Sequence, residues 1–484
     1  MNIFIIKWDY NNNNFLRVAK KIESDGHQIA YWVGASQEDV VPSNRRIFPQ
    51  TVFHNIFEAH FGKPALEFKD TDFAPPGEKI IKNLFEAESI LSTLKQFEKL
   101  KISVFEKKNL YHNYLQYWLG VIEKLKPDLI IFAISPHTGF DFVLFSIAKL
   151  LGIKTIMFDY TGIADRHLLI NDYTEGSRRL KKELENNKNK NFLLDNLSRD
   201  IREYYDGQIN QTQDPITRDF KALKNQYSGL NLLAVKVKII AKSASDLSIF
   251  KKIYFYLLKF FGDNIKKEHA RVQQRPDFNK KFIYVALHYQ PECATSPLGG
   301  IFVDQILMIK ILSQALPDDW LLYVKEHPVQ WLSQGLNYTD FRYPGFYKAI
   351  TAIKKVILVP QETPAVELIN KSQAVATVTG TAGREAVLRQ KPALIFGYAS
   401  YRDCVGVFKV SDVTSCQEVL QKIDSGFFIN QGDVLNYLAS LDKTSIHTYF
   451  EKATEVISGL SPEEHVDNLA SAILAEIEQN KNVA

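Results

Sequence analysis

The stretch from Ala374 to Phe396, AVATVTGTAGREAVLRQKPALIF, constrains the fold more than any other part of the chain. It reads as a short strand, a turn carrying Thr379, Gly380, Thr381, Ala382 and Gly383, a helix from about Arg384, and a second strand ending at Gly397. A helix that opens directly after a Gly/Thr turn presents unpaired N–H groups and the positive end of its dipole, which suits a phosphate. The turn is neither GxGxxG nor a GK[ST] P-loop, and a tight turn would use glycine in any case.

The rest of the chain repeats this alternation. Asn2 to Trp8 reads as a strand, Asn14 to Ser24 as a helix with Phe15, Val18, Ala19 and Ile22 on one face, and His27 to Val33 as the next strand. Residues from about 50 to 120 are aromatic-rich and read as mostly helical. Pro127 to Phe132, a polar turn, a helix from Asp141 to Leu151 and the strand Lys154 to Phe158 make a second β-α-β unit. From Asp172 to Asn279 the chain reads as polar and helical. The alternation then resumes with strands at Phe282 to Leu287, Trp320 to Lys325 and Val356 to Val359.

At 484 residues the chain is too long for one ordinary core. The expected fold class is α/β with two doubly wound, Rossmann-like domains facing a central cleft. The expected ranges are 1–275 with a helical basic insertion at about 172–275, 280–445, and a C-terminal helical tail at 446–484. A net charge of +4 with no compact Arg-rich element gives no reason to expect nucleic acid as a partner. Cys293, Cys404 and Cys416 form no CxxC pair, so neither a disulfide framework nor a zinc ribbon is expected, and a reducing, cytoplasmic setting fits. No apolar run reaches the ~18–20 residues a membrane span needs, so any membrane association is peripheral. Nine cations between Lys236 and Arg271 interleave with six aromatic residues. They fit either a helix with one packed and one solvated face, or an interfacial helix on an anionic membrane at the inner face of the cell.

Ligands of open α/β sheets bind outside the carboxyl ends of the strands. In the first domain those ends carry His137, Asp141, Asp159 and Asp165, the candidates for a base that takes a proton from an acceptor hydroxyl. In the second they carry Gln290, Glu292, Thr295, Ser296 and Gly299 in one loop, Lys325, His327 and Pro328 in the next, Pro360, Gln361 and Glu362 in a third, and the glycine turn. Lys325 and His327 beside a helix start make a coherent phosphate pocket, although a lone histidine also serves as a satisfied structural residue. Glu385 reads either as a first-turn carboxylate favoured by the helix dipole or as an acceptor for ribose hydroxyls.

In order and spacing, YVALHYQPECATSPLGG, YVKEHP and TVTGTAGREAVLRQKPALIFG resemble the capsule polysaccharide biosynthesis family, which includes the Kdo transferases of capsule assembly. The His-Pro pair and the Thr-rich turn are also similar to those of bacterial polysialyltransferases and teichoic-acid polymerases. The resemblance spans about Phe282 to Val407, is weaker over Pro127 to Asp172, and is absent from about 172 to 275. It implies a GT-B glycosyltransferase whose C-terminal domain holds a nucleotide-sugar, a CMP-sugar such as CMP-Kdo being favoured, and whose N-terminal domain holds a glycan or glycolipid acceptor. It further implies that His327, Thr379 and Thr381 contact the donor phosphate, that Glu385 contacts the ribose, and that Val359 to Glu362 flank the base. No metal and no cofactor beyond the donor are expected, since cationic and N–H groups would meet the leaving phosphate and no DxD motif stands at a strand end. A nucleotide-sugar epimerase of the same build and a non-catalytic glycan-assembly protein are the competing expectations.

Overall fold

The computed structural model describes residues 1–9, 12–34, 42–94, 102–210, 254, 257, 261–331, 338–451, 455 and 458–481. The chain begins with β1 (Asn2–Ile6), α1 (Asn13–Ser24), β2 (Gln28–Gly34) and β3 (Val52–Asn55). It continues with α2 (Val104–Leu125), β4 (Leu129–Phe132), α3 (Gly139–Leu151), β5 (Lys154–Tyr160) and β6 (Arg166–Ile170). Then follow β7 (Lys281–Ala286), α4 (Gln305–Ala315), β8 (Trp320–Lys325), β9 (Val356–Leu358), α5 (Ala365–Lys371) and β10 (Ala374–Thr377). The last elements used below are α6 (Thr381–Leu388), β11 (Ala393–Ile395), β12 (Val407–Lys409), β13 (Ile446–His447) and α7 (Pro462–Lys481).

Two compact units result, each a Rossmann-like α/β layer structure. In the first, the sheet order is β13-β6-β5-β4-β1-β2-β3, with β5 through β3 parallel and β6 and β13 antiparallel at one edge. In the second, the order is β12-β11-β10-β7-β8-β9, all parallel. The strand alternation explains the layering of the second sheet. Ile283 and Val285 of β7 share a core with Ile306, Met308, Ile309 and Leu312 of α4. Phe282 and Tyr284 point to the other face, where they join Leu368 and Ile369 of α5 and Ala386 of α6.

The unit boundaries differ from the expected ranges. The first unit comprises Met1–Tyr204, Ser296–Gly300 and Leu435–Ala484, and the second Tyr205–Thr295 and Ile301–Val434. The C-terminal helix is therefore no appended tail. Val466, Leu469, Ala470, Ile473 and Ile477 of α7 pack with Phe15, Val18, Ala19 and Ile22 of α1 in the core beneath β1 and β4. At about 1.5–3 kcal/mol for each large aliphatic side chain buried, as an upper bound, that face holds the helix firmly. The helix Ile265–Val272, expected in the first domain, places Ile265 in the core of the second sheet.

Of the basic aromatic segment, residues 236–253, 255–256 and 258–260 lie outside the described residues. At its described end the cations are engaged locally: Arg271 pairs with Asp263 at 2.7 Å, and Lys266 lies over the Trp331 ring at 5.8 Å. No described helix is long and apolar enough to cross a membrane.

Candidate functional site

In a doubly wound sheet the crevice for a ligand opens where the strand order reverses. In the second unit that point lies between β7, which continues to β8 and β9 on one side, and β10, which opens the other side. The residues that follow these four strands are His288, His327, Pro360–Glu362 and Thr379–Gly380, so three of the predicted loops and the glycine turn share one sheet edge.

His288 organises the centre. It is buried, and its Nε2 accepts the Thr379 N–H at 3.0 Å and lies 3.0 Å from Thr377 Oγ1. Burial, reinforced by His327 and Arg342, pushes its pKa down to about 3, so it stays neutral with Nε2 as an acceptor. Gly380 N–H is directed at Thr377 Oγ1, 3.3 Å away. Two N–H groups expected to face a phosphate are thus occupied by protein. Those of Thr381 and Ala382, at the tip of α6, meet no protein acceptor among the described residues. Thr381 is exposed and Ala382 half-buried.

The two glycines of the turn are explained by close approach. A Cβ on Gly380 would lie 2.8 Å from Thr377 Oγ1, and one on Gly383 would lie 2.4 Å from Tyr401 Oη. Tyr401 in turn donates to Gly380 O at 2.5 Å. Because α6 begins at Thr381 and not at Arg384, Glu385 sits in the second turn, not the first. Glu385 is buried, and it partly offsets the burial that lowers the pKa of Arg389. The expected dipole argument for it does not hold.

Lys325 ends β8 and is 3% exposed. His327, two residues on, is half-buried; burial outweighs the pull of Glu326 and, aided by Arg342 and Lys325, brings its pKa to about 4. At neutral pH His327 is therefore an imidazole and not the cation expected from its position. Its Nδ1 accepts the Val329 N–H at 3.3 Å, which leaves the ring proton on Nε2. Pro328 is exposed, and Gln361 donates to His327 O at 3.1 Å. Pro360 and Glu362 turn instead to a hollow of about 520 Å³ that Gln273, Arg275 and Phe278 also line.

A residue pair that the sequence did not single out supports these loops. The Arg342 guanidinium meets Glu326 through Nε to Oε2 at 2.7 Å and Nη2 to Oε1 at 3.1 Å, and donates also to His288 O and to Gln290 Oε1. Burial pushes the Glu326 carboxyl up, but Arg342 outweighs it and leaves it below its ordinary value. Gln290, predicted to hold the donor, is 3% exposed and spends its amide on Arg342, Gln305 and Val303. Thr295 is buried with its hydroxyl on Glu292 O at 3.0 Å, and Glu292 is half-buried. Ser296 and Gly299 fall in the stretch grouped with the first unit, where Ser296 Oγ lies 2.7 Å from Thr93 Oγ1.

The first unit has its own reversal, between β1 and β4. Lys7 follows β1 with φ at 66°, and its ammonium meets the fully buried Asp141 carboxylate at 2.7 Å and lies 3.4 Å from His137 Nε2. Asp141 Oδ1 also accepts the Thr138 N–H, capping α3. Burial, then Lys7, brings His137 to a pKa of about 4, while Lys7 and His137 keep Asp141 below its ordinary value against its burial. These two candidates are thus partners of each other and of Lys7. Asp159 and Asp165 stand apart from them, at the antiparallel β5–β6 hairpin.

Two Rossmann-like α/β units in one chain, each with polar residues at its strand reversal, make up the two-domain α/β architecture expected of the chain. Residues 294–418 match the family model of capsule polysaccharide biosynthesis proteins. No curated protein matches the chain. Among solved structures, a beta Kdo 2,7 transferase of Thermosulfurimonas dismutans aligns at 10% identity over 98% of this chain and 99% of that one, with a TM-score of 0.31. A UDP-GlcNAc 2-epimerase of Methanocaldococcus jannaschii aligns at 11% identity over 91% and 98%, with a TM-score of 0.25. The Neisseria meningitidis UDP-GlcNAc 2-epimerase bound to UDP-GlcNAc aligns at 12% over 99% and 100%, with a TM-score of 0.21. At these TM-scores none of the likenesses bears on activity.

Proposed function

We propose that the protein is a glycosyltransferase that moves a sugar from a nucleotide donor, a CMP-sugar such as CMP-Kdo, to a capsular or other surface glycan or glycolipid. The observation that carries this reading is that Thr379–Thr381, Lys325 and His327 share one sheet edge of the second unit, beside its strand reversal and inside the stretch that matches the capsule polysaccharide family. In transfer, the bond between the anomeric carbon and a phosphate oxygen breaks, and its electron pair stays with the phosphate. The N–H groups of Thr381 and Ala382, the Thr381 hydroxyl and the His327 Nε2–H would be the donors for that charge, with Lys325 at the end of β8. These groups, and no metal ion, would stabilise the leaving group. An anionic phosphate beside His327 would raise its pKa from the low value that burial gives it.

His327→Ala tests the reading: turnover of nucleotide-sugar is lost while circular dichroism and the melting temperature are kept. Normal turnover in that variant removes the core of the proposal. Free sugar formed without an acceptor would favour the epimerase, and glycan binding without nucleotide affinity a non-catalytic assembly protein.

A further inference from the structure

We propose that His447 is the general base that takes the proton of the acceptor hydroxyl, with Asp165 as its positioning residue; this assignment rests on the sugar-transfer reading. The returning C-terminal segment brings His447 to the first sheet, where β13 pairs antiparallel with β6 and sets Ile446 opposite His167 and His447 opposite Arg166. Asp165 closes the turn Thr161–Asp165 at the carboxyl end of β5, the edge where ligands of such sheets bind. His447 Nδ1 lies 2.8 Å from Asp165 Oδ1, and the backbone repeats the link, since Thr448 N–H donates to Asp165 O at 3.0 Å. A carboxylate on Nδ1 fixes the tautomer whose Nε2 lone pair is the base. His447 is 37% exposed, and its Nε2 meets no protein partner among the described residues.

Two further observations separate this pair from ordinary packing. The other carboxylate oxygen, Asp165 Oδ2, is buried without a hydrogen-bond partner among the described residues, so the negative charge faces the ring with little to dilute it. Ala164, just before Asp165, holds φ at 44°, a strained value for a residue with a side chain, in a turn that aims the carboxylate. The other charged groups around the pair are engaged: Arg166 binds Asp200 and Asp442, and His167 Nδ1 meets Asp165 O. By contrast His137 Nε2 faces the Lys7 ammonium, and Asp141 is fully buried. In the reaction the acceptor oxygen forms the new bond to the anomeric carbon, and its proton passes to His447 Nε2 and then to water.

The test measures transfer from CMP-Kdo, UDP-N-acetylglucosamine or GDP-mannose to a Kdo-terminated glycolipid. His447→Ala loses about 100-fold or more in kcat with the donor KM unchanged. Imidazole added to that variant restores part of the rate, which a purely structural histidine does not allow. Asp165→Asn gives a smaller loss. Full activity in a folded His447→Gln variant overturns the assignment, as does a loss in His447→Ala that imidazole leaves untouched. A wild-type protein inactive with every donor overturns the sugar-transfer reading itself and this assignment with it, and that outcome is seen before any variant is compared.

Discussion

Arg342 and Glu326 face each other through two hydrogen bonds, at 2.7 and 3.1 Å, and neither side chain has any exposed surface. Glu326 also accepts the Tyr347 hydroxyl at 2.6 Å and the His327 N–H at 2.7 Å, so one carboxylate ties the Arg342 and Tyr347 segments of the second unit to the residue proposed to meet the donor.

Removing one partner of such a pair leaves a buried charge without compensation, at a cost of about 3–5 kcal/mol. Arg342→Leu is therefore expected to lower the melting temperature by roughly 10 °C, while the double variant Arg342→Leu/Glu326→Leu recovers part of the loss. A single variant as stable as the wild type would show that the pair contributes little.

An alanine within a helix is normally about 1 kcal/mol better than glycine. At Gly383 the sign reverses, because the new Cβ would lie 2.4 Å from Tyr401 Oη. Gly383→Ala is expected to destabilise by about 1–3 kcal/mol, and adding Tyr401→Phe, which removes the colliding oxygen, to relieve much of it. Chemical denaturation of the two variants measures both effects.

Asp141 is read as a counter-ion and helix cap, not a base. Asp141→Asn strands the Lys7 ammonium, so the melting temperature falls while nucleotide affinity measured at low temperature is kept. An unchanged melt with lost turnover would return Asp141 to the list of bases.

Burial lowers the pKa of His54, His137, His167, His327 and His465 to about 4 and that of His288 to about 3. Between the ordinary value of ~6.5 and these values the unfolded chain binds protons that the folded chain does not, so stability falls as pH drops through that window. At pH 5 each group costs about 2 kcal/mol relative to neutral pH. Melting curves at pH 7 and pH 5 should differ strongly, and coincident curves would contradict the buried, neutral state of these rings.

The central strands were legible because parallel strands covered on both faces are continuous apolar runs, as in Leu129–Phe132 and Trp320–Lys325. β3, β6, β12 and β13 were not, since each is a short edge or near-edge strand of two to five residues whose pairing depends on distant partners. The helix start was misplaced because Gly383 reads as turn residue, whereas a tyrosine 18 positions later leaves it no room for a side chain. The buried arginine and the Asp165–His447 pair share the same obstacle. A charged side chain declares its burial only through its partner, and Asp165 and His447 are 282 residues apart.

The most direct test of a donor site at the strand reversal of the second unit is a thermal-shift screen of the wild type and Thr381→Glu against CMP, UDP, GDP and CDP. A nucleotide at about 100 times its Kd stabilises the fold by about 2.7 kcal/mol. One of the four is predicted to raise the wild-type melting temperature by several degrees and to leave Thr381→Glu unmoved, because the added carboxylate repels phosphate from the tip of α6. No shift with any nucleotide, or an equal shift in both proteins, would contradict a donor phosphate at that helix start.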